Sequence, residues 1–202
     1  MNTMEMIILA CGIIGAYLLG SISSAILVCH LLRLPDPRQE GSKNPGTTNV
    51  LRIGGRFAAA LTLLGDAAKG AVPVLLVKLV TVNPWIISAT LFAAIIGHMY
   101  PLFFQFKGGK GIATIIGGLL ALSPILGGLF LLTWVGIFVI TRYSSLSAIV
   151  AIATMPGWAW YLLDKRYMPG LTLLALIILW KHRENIKRLA TGKETRSTFK
   201  KA

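Results

Sequence analysis

Four stretches of this chain contain no Asp, Glu, Lys or Arg: residues 6–32, 79–106, 111–141 and 143–163. They run for 27, 28, 31 and 21 residues, and about 20 apolar residues in a helix cross the hydrocarbon core of a bilayer. Backbone amides and carbonyls find no water there, so such stretches must bond internally as helices. The chain is therefore expected to be an all-α integral membrane protein, a polytopic helical bundle forming a single domain over residues 1–202. Only 13% of its residues are charged, about half the share usual in a soluble domain, which excludes a separate soluble module.

Lys and Arg number 20 against 7 acidic residues, a net charge of +13. They sit in short segments beside the apolar runs without interleaved aromatics, which points to membrane topology and anionic ligands rather than nucleic acid. Basic residues at 33, 38, 43, 52 and 56 follow the first run and none precede it, placing the N-terminus in the periplasm. Only Glu5 precedes that run, with neither a basic leader nor a small-residue cleavage site, so it reads as a retained span. Residues 57–82 form a second crossing. Asn83 and Pro84, an N-cap followed by proline at the first helical position, start a third that ends near Phe106. Ser123-Pro124 interrupts 111–141, giving two short crossings or one long kinked one. Two are favoured, because they return Arg142 to the cytoplasm and leave Trp85, Trp158, Trp160, Tyr161 and Tyr167 as an outer aromatic belt, with Lys165 and Arg166 as an exception. A last span over 168–180 delivers Lys181, Arg183, Lys187, Arg188, Lys193, Arg196, Lys200 and Lys201 to the cytoplasm. The expectation is about seven transmembrane helices, N-terminus periplasmic and C-terminus cytoplasmic.

Within the spans, Asp66 and Lys69 stand three residues apart where a lone charge would be expensive, and are expected to pair. Gly117-Gly118 and Gly127-Gly128 suit close helix packing. His30 and His98 read as interfacial polar side chains. Cys11 and Cys29 lie on one apolar run about 27 Å apart as a helix, too far to bridge. No cluster with metal-ligand spacing is present, and no cofactor is expected.

Four polar segments fall on the predicted cytoplasmic side. The first, Gly41-Ser-Lys-Asn-Pro-Gly-Thr-Thr-Asn-Val-Leu-Arg52, is either a solvated loop or a binding segment. The second, Phe106-Lys-Gly-Gly-Lys-Gly-Ile-Ala-Thr114, has the makings of a phosphate cradle: glycines let backbone N–H groups converge on an oxyanion and a lysine adds charge at a helix start. It is not a Walker A loop, which needs glycine where Phe104 stands and Ser or Thr where Gly111 stands. The third, Arg142-Tyr-Ser-Ser-Leu-Ser147, is explained equally well by helix capping. The fourth starts at His182, sets His182 and Asn185 on one helical face, and is expected to pair Glu184 with Arg188. Together they supply cations, hydroxyls and amides with hardly any acid, a composition suited to phosphate. No histidine has an aspartate five residues later: Pro35, Phe103 and Lys187 stand there after His30, His98 and His182. That excludes acyltransferases built on an HxxxxD motif.

These segments, with Gly65-Asp-Ala-Ala-Lys-Gly70, the run from Gly97-His-Met-Tyr-Pro101 to Thr114, and His182 through Gly192-Lys-Glu194, resemble the PlsY family of bacterial glycerol-3-phosphate acyltransferases over nearly the whole chain. The resemblance implies an inner-membrane enzyme of phospholipid synthesis with a cytoplasmic active site. It would transfer a fatty acyl group from acyl phosphate to the sn-1 hydroxyl of sn-glycerol 3-phosphate, yielding lysophosphatidate and phosphate without a metal. A soluble PlsX-type phosphate acyltransferase would supply the acyl phosphate. Candidate catalytic residues are Ser42, Arg52, Lys110, His182 and Asn185. Candidate substrate-binding residues are Asn44, Thr48, Asn49, Lys107, Gly108, Gly109, Gly111, Thr114, Arg142 and Ser145. Lys110 and the glycine backbone would hold a phosphate, Arg52, Ser42 and Ser145 the same or a neighbouring one, and His182 with Asn185 the glycerol hydroxyls. Acyl phosphate is already activated, so a substrate phosphate oxygen is expected to take the hydroxyl proton, with His182 the rival base. The competing class is a phosphate-ester transporter. Transporters bind near the midplane, whereas the polar segments here collect at one edge.

Overall fold

The computed structural model describes residues 2–197, so Lys200 and Lys201 of the basic tail lie outside the described residues. Nine α-helices are described, joined by short loops and 3-10 turns: α1 Thr3–Gly20, α2 Ser24–Leu31, α3 Thr47–Lys78, α4 Pro84–Met99, α5 Ile112–Leu122, α6 Pro124–Thr141, α7 Ser144–Leu162, α8 Met168–Lys181 and α9 Arg183–Ala190. The chain divides into two compact units, one ending at Pro124 and the other starting at Ile125.

In the first unit the initial apolar run is two helices rather than the single one expected. Ser23 caps α2 by accepting from the Ile26 N–H, and Ser21 Oγ donates to the Tyr17 carbonyl. The Ile22 carbonyl in the break accepts from Lys69 Nζ at 2.7 Å. Polar side chains supplied from within and from α3 thus satisfy a break at membrane depth. The polar segment before the second crossing is also helical from Thr47, and the chain bends at Gly55, whose φ of +77° is open to glycine at little cost. Asn83 caps α4 as expected, accepting from the Trp85 N–H. The α-helix itself stops at Met99, where Tyr100 leaves the helical region ahead of Pro101, but the apolar span continues through a 3-10 turn to Phe104, close to the expected end near Phe106.

α4 is the core helix of this unit: Ile86, Leu91, Ala94, Ile95 and Met99 are buried along it, whereas only Ala16, Gly20, Ser24, Ala25 and Cys29 are buried along α1 and α2. Packing rests on reciprocal glycines. A Cβ on Gly20 would fall on the Ala94 carbonyl, and one on Gly97 on the Tyr17 carbonyl, locking α1 to α4. Gly70 faces the Thr114 carbonyl and Gly117 the Ala67 carbonyl, locking α3 to α5, the most extensive helix pair. Lys78 Nζ completes the second pair by donating to the Ala121 and Leu122 carbonyls at 2.8 and 3.0 Å, where the C-terminus of α5 favours a cation.

In the second unit α7 packs on α8 and α9. Ser123 is extended before Pro124, so the expected break between α5 and α6 is present. Gly127 is buried, but a Cβ on Gly128 would meet nothing within 4 Å, so packing does not account for that glycine. Arg166 bonds Asp164 at 2.7 Å and holds its carboxyl down to about 2. One of the two cations that run against the charge rule is thereby neutralised locally. Cys11 and Cys29 are both free thiols.

Among the described residues, five helical segments are long and apolar enough to cross a membrane: Thr3–Leu31, Thr47–Lys78, Pro84–Phe104, Pro124–Thr141 and Ser144–Leu162. The two further crossings of a seven-span topology would be α5 and α8, of 11 and 14 residues.

Candidate active site

Asn49, at 1% exposure, organises the first polar segment. Its Oδ1 accepts from the Ser42 N–H at 2.8 Å while its Nδ2 donates to the Pro37 and Glu40 carbonyls, both at 2.9 Å. The side chain fixes where Ser42 sits. α3 then begins at Gly46 with no side chain capping it, Thr48 lies half-buried in the first turn, and Asn44 packs under Gly46. Arg52 stands exposed on the same short helical stretch. A helix that begins uncapped presents unpaired N–H groups and partial positive charge.

The glycine–lysine segment repeats this arrangement. Gly111, left-handed at φ +85°, is the N-cap of α5, and again no side chain caps it. Thr114 in the first turn is fully buried, and its hydroxyl has no hydrogen-bond partner. Before it, Gln105 and Phe106 are both left-handed, a costly conformation for residues with a Cβ. Gly108 is forced by its surroundings, since a Cβ there would collide with the His98 carbonyl and stand 2.8 Å from the Met99 carbonyl carbon. Gly109 donates its N–H to the His98 carbonyl, and its Cβ position lies 3.0 Å from the Pro45 carbonyl. The two uncapped helix starts are therefore neighbours, brought together by the contact of Gly109 with Pro45. Lys110 is half-buried and Lys107 exposed.

In the second unit, His182 and Asn185 share the buried face of the last two helices, at 3% and 5% exposure, with Arg183 and Glu184 exposed between them. The carbonyl of Ile178 can only accept, so the 2.8 Å contact to His182 Nδ1 places the proton on that nitrogen. Glu194 gathers the rest. Its Oε1 accepts from Ser145 Oγ and Asn185 Nδ2, each at 2.8 Å, and its Oε2 from Arg188 Nε at 2.6 Å. The expected Glu184–Arg188 pair is replaced by this one, because the chain after α9 folds back and offers a better-buried carboxylate. Among the serines after Arg142, Ser147 is buried and bonds the Tyr143 carbonyl, which leaves Ser145 on the Glu194 side. Arg142 is exposed and left-handed, and its carbonyl accepts from the Ser197 N–H.

A family model described as glycerol-3-phosphate acyltransferase matches residues 10–192. The chain belongs to the glycerol-3-phosphate acyltransferase family. It is 52% identical over 182 residues to a glycerol-3-phosphate acyltransferase of Methylococcus capsulatus, covering 90% of this chain and 92% of that one. It is also 52% identical over 184 residues to one of Francisella tularensis subsp. novicida, covering 91% and 90%. Two crystal structures of PlsY, an integral membrane glycerol 3-phosphate acyltransferase, are similar in fold. Its glycerol 3-phosphate form gives a TM-score of 0.89 at 38% identity and its lysophosphatidic acid form 0.87 at 37%, each covering 93% of this chain and 94% of that one. This chain is thus an acyltransferase of the PlsY family and an all-helical membrane protein.

For an enzyme of this family, Glu194 and His98 stand in the segments that carry the resemblance but were not among the candidate site residues. Glu194 lies beyond any helical spacing rule, and its signal is chemical: a carboxylate in a tail otherwise rich in cations. Burial raises its pKa, but bonds from Arg188, Ser145 and Asn185 and the Arg188 charge outweigh that and hold it below the ordinary value. Its contribution to stability is therefore complete above the free value of 4.5 and is lost as the pH falls through the lowered folded value. Glu194→Gln is expected to cost about 1–2 kcal/mol at neutral pH. Thermal melts of both proteins at descending pH check this: the gap closes in acid, and a gap independent of pH would contradict the assignment.

Proposed function

We propose that this protein transfers a fatty acyl group from acyl phosphate to the sn-1 hydroxyl of sn-glycerol 3-phosphate, producing lysophosphatidate and inorganic phosphate. The observation that carries the reading is the pair of uncapped helix starts, at Gly46 and Gly111, held against each other through Pro45 and Gly109. Both substrates carry phosphate and so does the leaving group, and preorganised N–H donors with adjacent cations are what such a reaction needs. Lys110 with the Gly108 and Gly111 backbone takes one phosphate, supported by Thr114 and Lys107, while Gly109, whose N–H is given to the His98 carbonyl, shapes the loop between them. Arg52 and Ser42, with Asn44, Thr48 and Asn49 shaping their loop, take the same one or its neighbour; Arg142 and Ser145, in the second unit, are substrate-binding candidates as well. His182 and Asn185 orient the glycerol hydroxyls.

In the reaction the sn-1 oxygen attacks the acyl carbonyl carbon, the new ester bond forms, and the bond from that carbon to the phosphate oxygen breaks. The hydroxyl proton passes to a substrate phosphate oxygen, so no protein base is consumed and no metal or cofactor enters. Histidines that act as bases in hydrolase triads donate Nδ1–H to a carboxylate. His182 donates it to the Ile178 carbonyl, which fixes the orientation of the ring. His182→Ala is accordingly expected to raise the KM for glycerol 3-phosphate about tenfold or more with kcat within roughly threefold, whereas loss of a base would cost about 10²–10⁴ in kcat. Steady-state kinetics in both substrates separate the two.

On this proposal the enzyme lies in the bacterial inner membrane as a single acyltransferase domain of seven crossings, N-terminus periplasmic and C-terminus and active site cytoplasmic, fed by a soluble PlsX-type partner. The chemical test is product analysis with palmitoyl phosphate and sn-glycerol 3-phosphate. One sn-1 lysophosphatidate and one phosphate per turnover are expected. An sn-2 product, or phosphate released without ester, would contradict the mechanism.

A further inference from the structure

Asp66 is 1% exposed and sits in the middle of a membrane helix, where a carboxylate needs compensation. Lys69 supplies part of it at 2.9 Å, the expected pair, and Lys69 is anchored in turn on the Ile22 carbonyl. The structure adds a third member. His98, expected as an interfacial side chain, is instead buried at 6% exposure, its Nδ1 3.6 Å from Asp66 Oδ1. The adjoining Cε1–Nε2 edge of the imidazole faces Gly109: a Cβ on that glycine would run into Nε2 and stand 2.9 Å from Cε1. The His98 main chain holds the same glycine, accepting its N–H at 3.2 Å.

A single histidine therefore joins a buried charge to the loop that opens α5. That loop has reason to need support, because Gln105 and Phe106 just before it hold left-handed conformations that the surroundings must impose. Ion pairing alone explains why Asp66 has a partner. It does not explain an aromatic ring standing between the carboxylate and the one loop residue whose missing side chain makes room for that ring.

We propose that His98, oriented by Asp66 and Lys69, is a positioning residue for catalysis, its ring edge setting the height of Gly109 and thereby the aim of the Gly108–Lys110 backbone at a substrate phosphate. The inference rests on the assignment of that loop to phosphate. The ring touches no reacting atom and acts only through the loop.

His98→Asn separates this role from a structural one. The asparagine amide occupies roughly the place of Nδ1 and keeps a partner for Asp66, while the ring edge against Gly109 is deleted. Gly109→Ala places a methyl where that edge stood, and collides with it when His98 is present. In the full-length, detergent-purified protein, each single variant is expected to raise the KM for at least one of palmitoyl phosphate and glycerol 3-phosphate about tenfold, with kcat within roughly threefold. The double variant is expected to be at least about fivefold better in kcat/KM than the product of the two single losses, as contacting residues couple and distant ones do not. If His98→Asn leaves both KM values at wild type, or if the two losses simply multiply, the proposal is overturned. Should the asparagine variant not be recovered folded, the cycle with His98→Ala in its place is read by the same two criteria. A wild type inactive with acyl phosphate would overturn the functional reading itself, a result distinct from an active wild type with multiplicative losses.

Discussion

Lys110→Ala is expected to lower kcat/KM by about two to three orders of magnitude, as removal of one preorganised donor of transition-state charge does elsewhere. Lys110 sits half-buried between a buried glycine and the left-handed N-cap of an uncapped helix. Its charge adds to the partial positive charge of the α5 N-terminus in a partly dehydrated setting, where a cation is worth more than at the surface. Lys107, three residues away and exposed, is expected to matter only a few-fold when replaced by alanine, because water and salt screen it. Steady-state kinetics of the two variants side by side provide the check. Full activity in Lys110→Ala would remove the phosphate assignment, and equal losses in both would reduce the loop to a diffuse basic patch.

Gly117→Ala is expected to damage the fold out of proportion to one methyl. Its Cβ would fall on the Ala67 carbonyl, with Ala67 Cα at 2.9 Å, and backbone in a helix cannot step aside as a side chain can. α3 and α5 must then separate, against a reciprocal lock at Gly70 and Thr114. Overpacking of this kind costs about 1–3 kcal/mol or more, or a fall in melting temperature of roughly 5 °C. Activity falls with it, since the N-terminus of α5 carries the phosphate loop. Gly128→Ala is the matched control, because its Cβ meets nothing within 4 Å, and its melting temperature should stay at wild type. Equal shifts in the two variants would mean that glycine acts through helix propensity rather than through packing.

Helix content, the start at Asn83-Pro84, the break at Ser123-Pro124 and the Asp66–Lys69 pair were legible because each depends on residues close in sequence or on the dielectric of a membrane. What the sequence hides depends on contacts between helices. Gly20-Ser-Ile-Ser-Ser24 marks the first break only weakly within an otherwise uncharged run, and the carbonyl it opens at Ile22 is satisfied by a lysine 47 residues away. His98 stands alone by any spacing rule, and its meaning appears only when α4 lies beside Asp66 of α3. Helical spacing favoured Glu184 as partner of Arg188, yet Glu194 wins because the returning chain buries it beside Ser145 and Asn185. For the candidate site, the residue types and the glycine loop were readable. The support beneath them, from Asn49, His98 and Glu194, was not.

The acyl donor is the central claim, and one assay addresses it most directly. Detergent-purified protein is given labelled sn-glycerol 3-phosphate with no added metal, and either palmitoyl phosphate or palmitoyl-CoA. Lysophosphatidate is expected from palmitoyl phosphate alone. Lysophosphatidate from palmitoyl-CoA, or from neither donor with the protein shown to be folded, would contradict that claim.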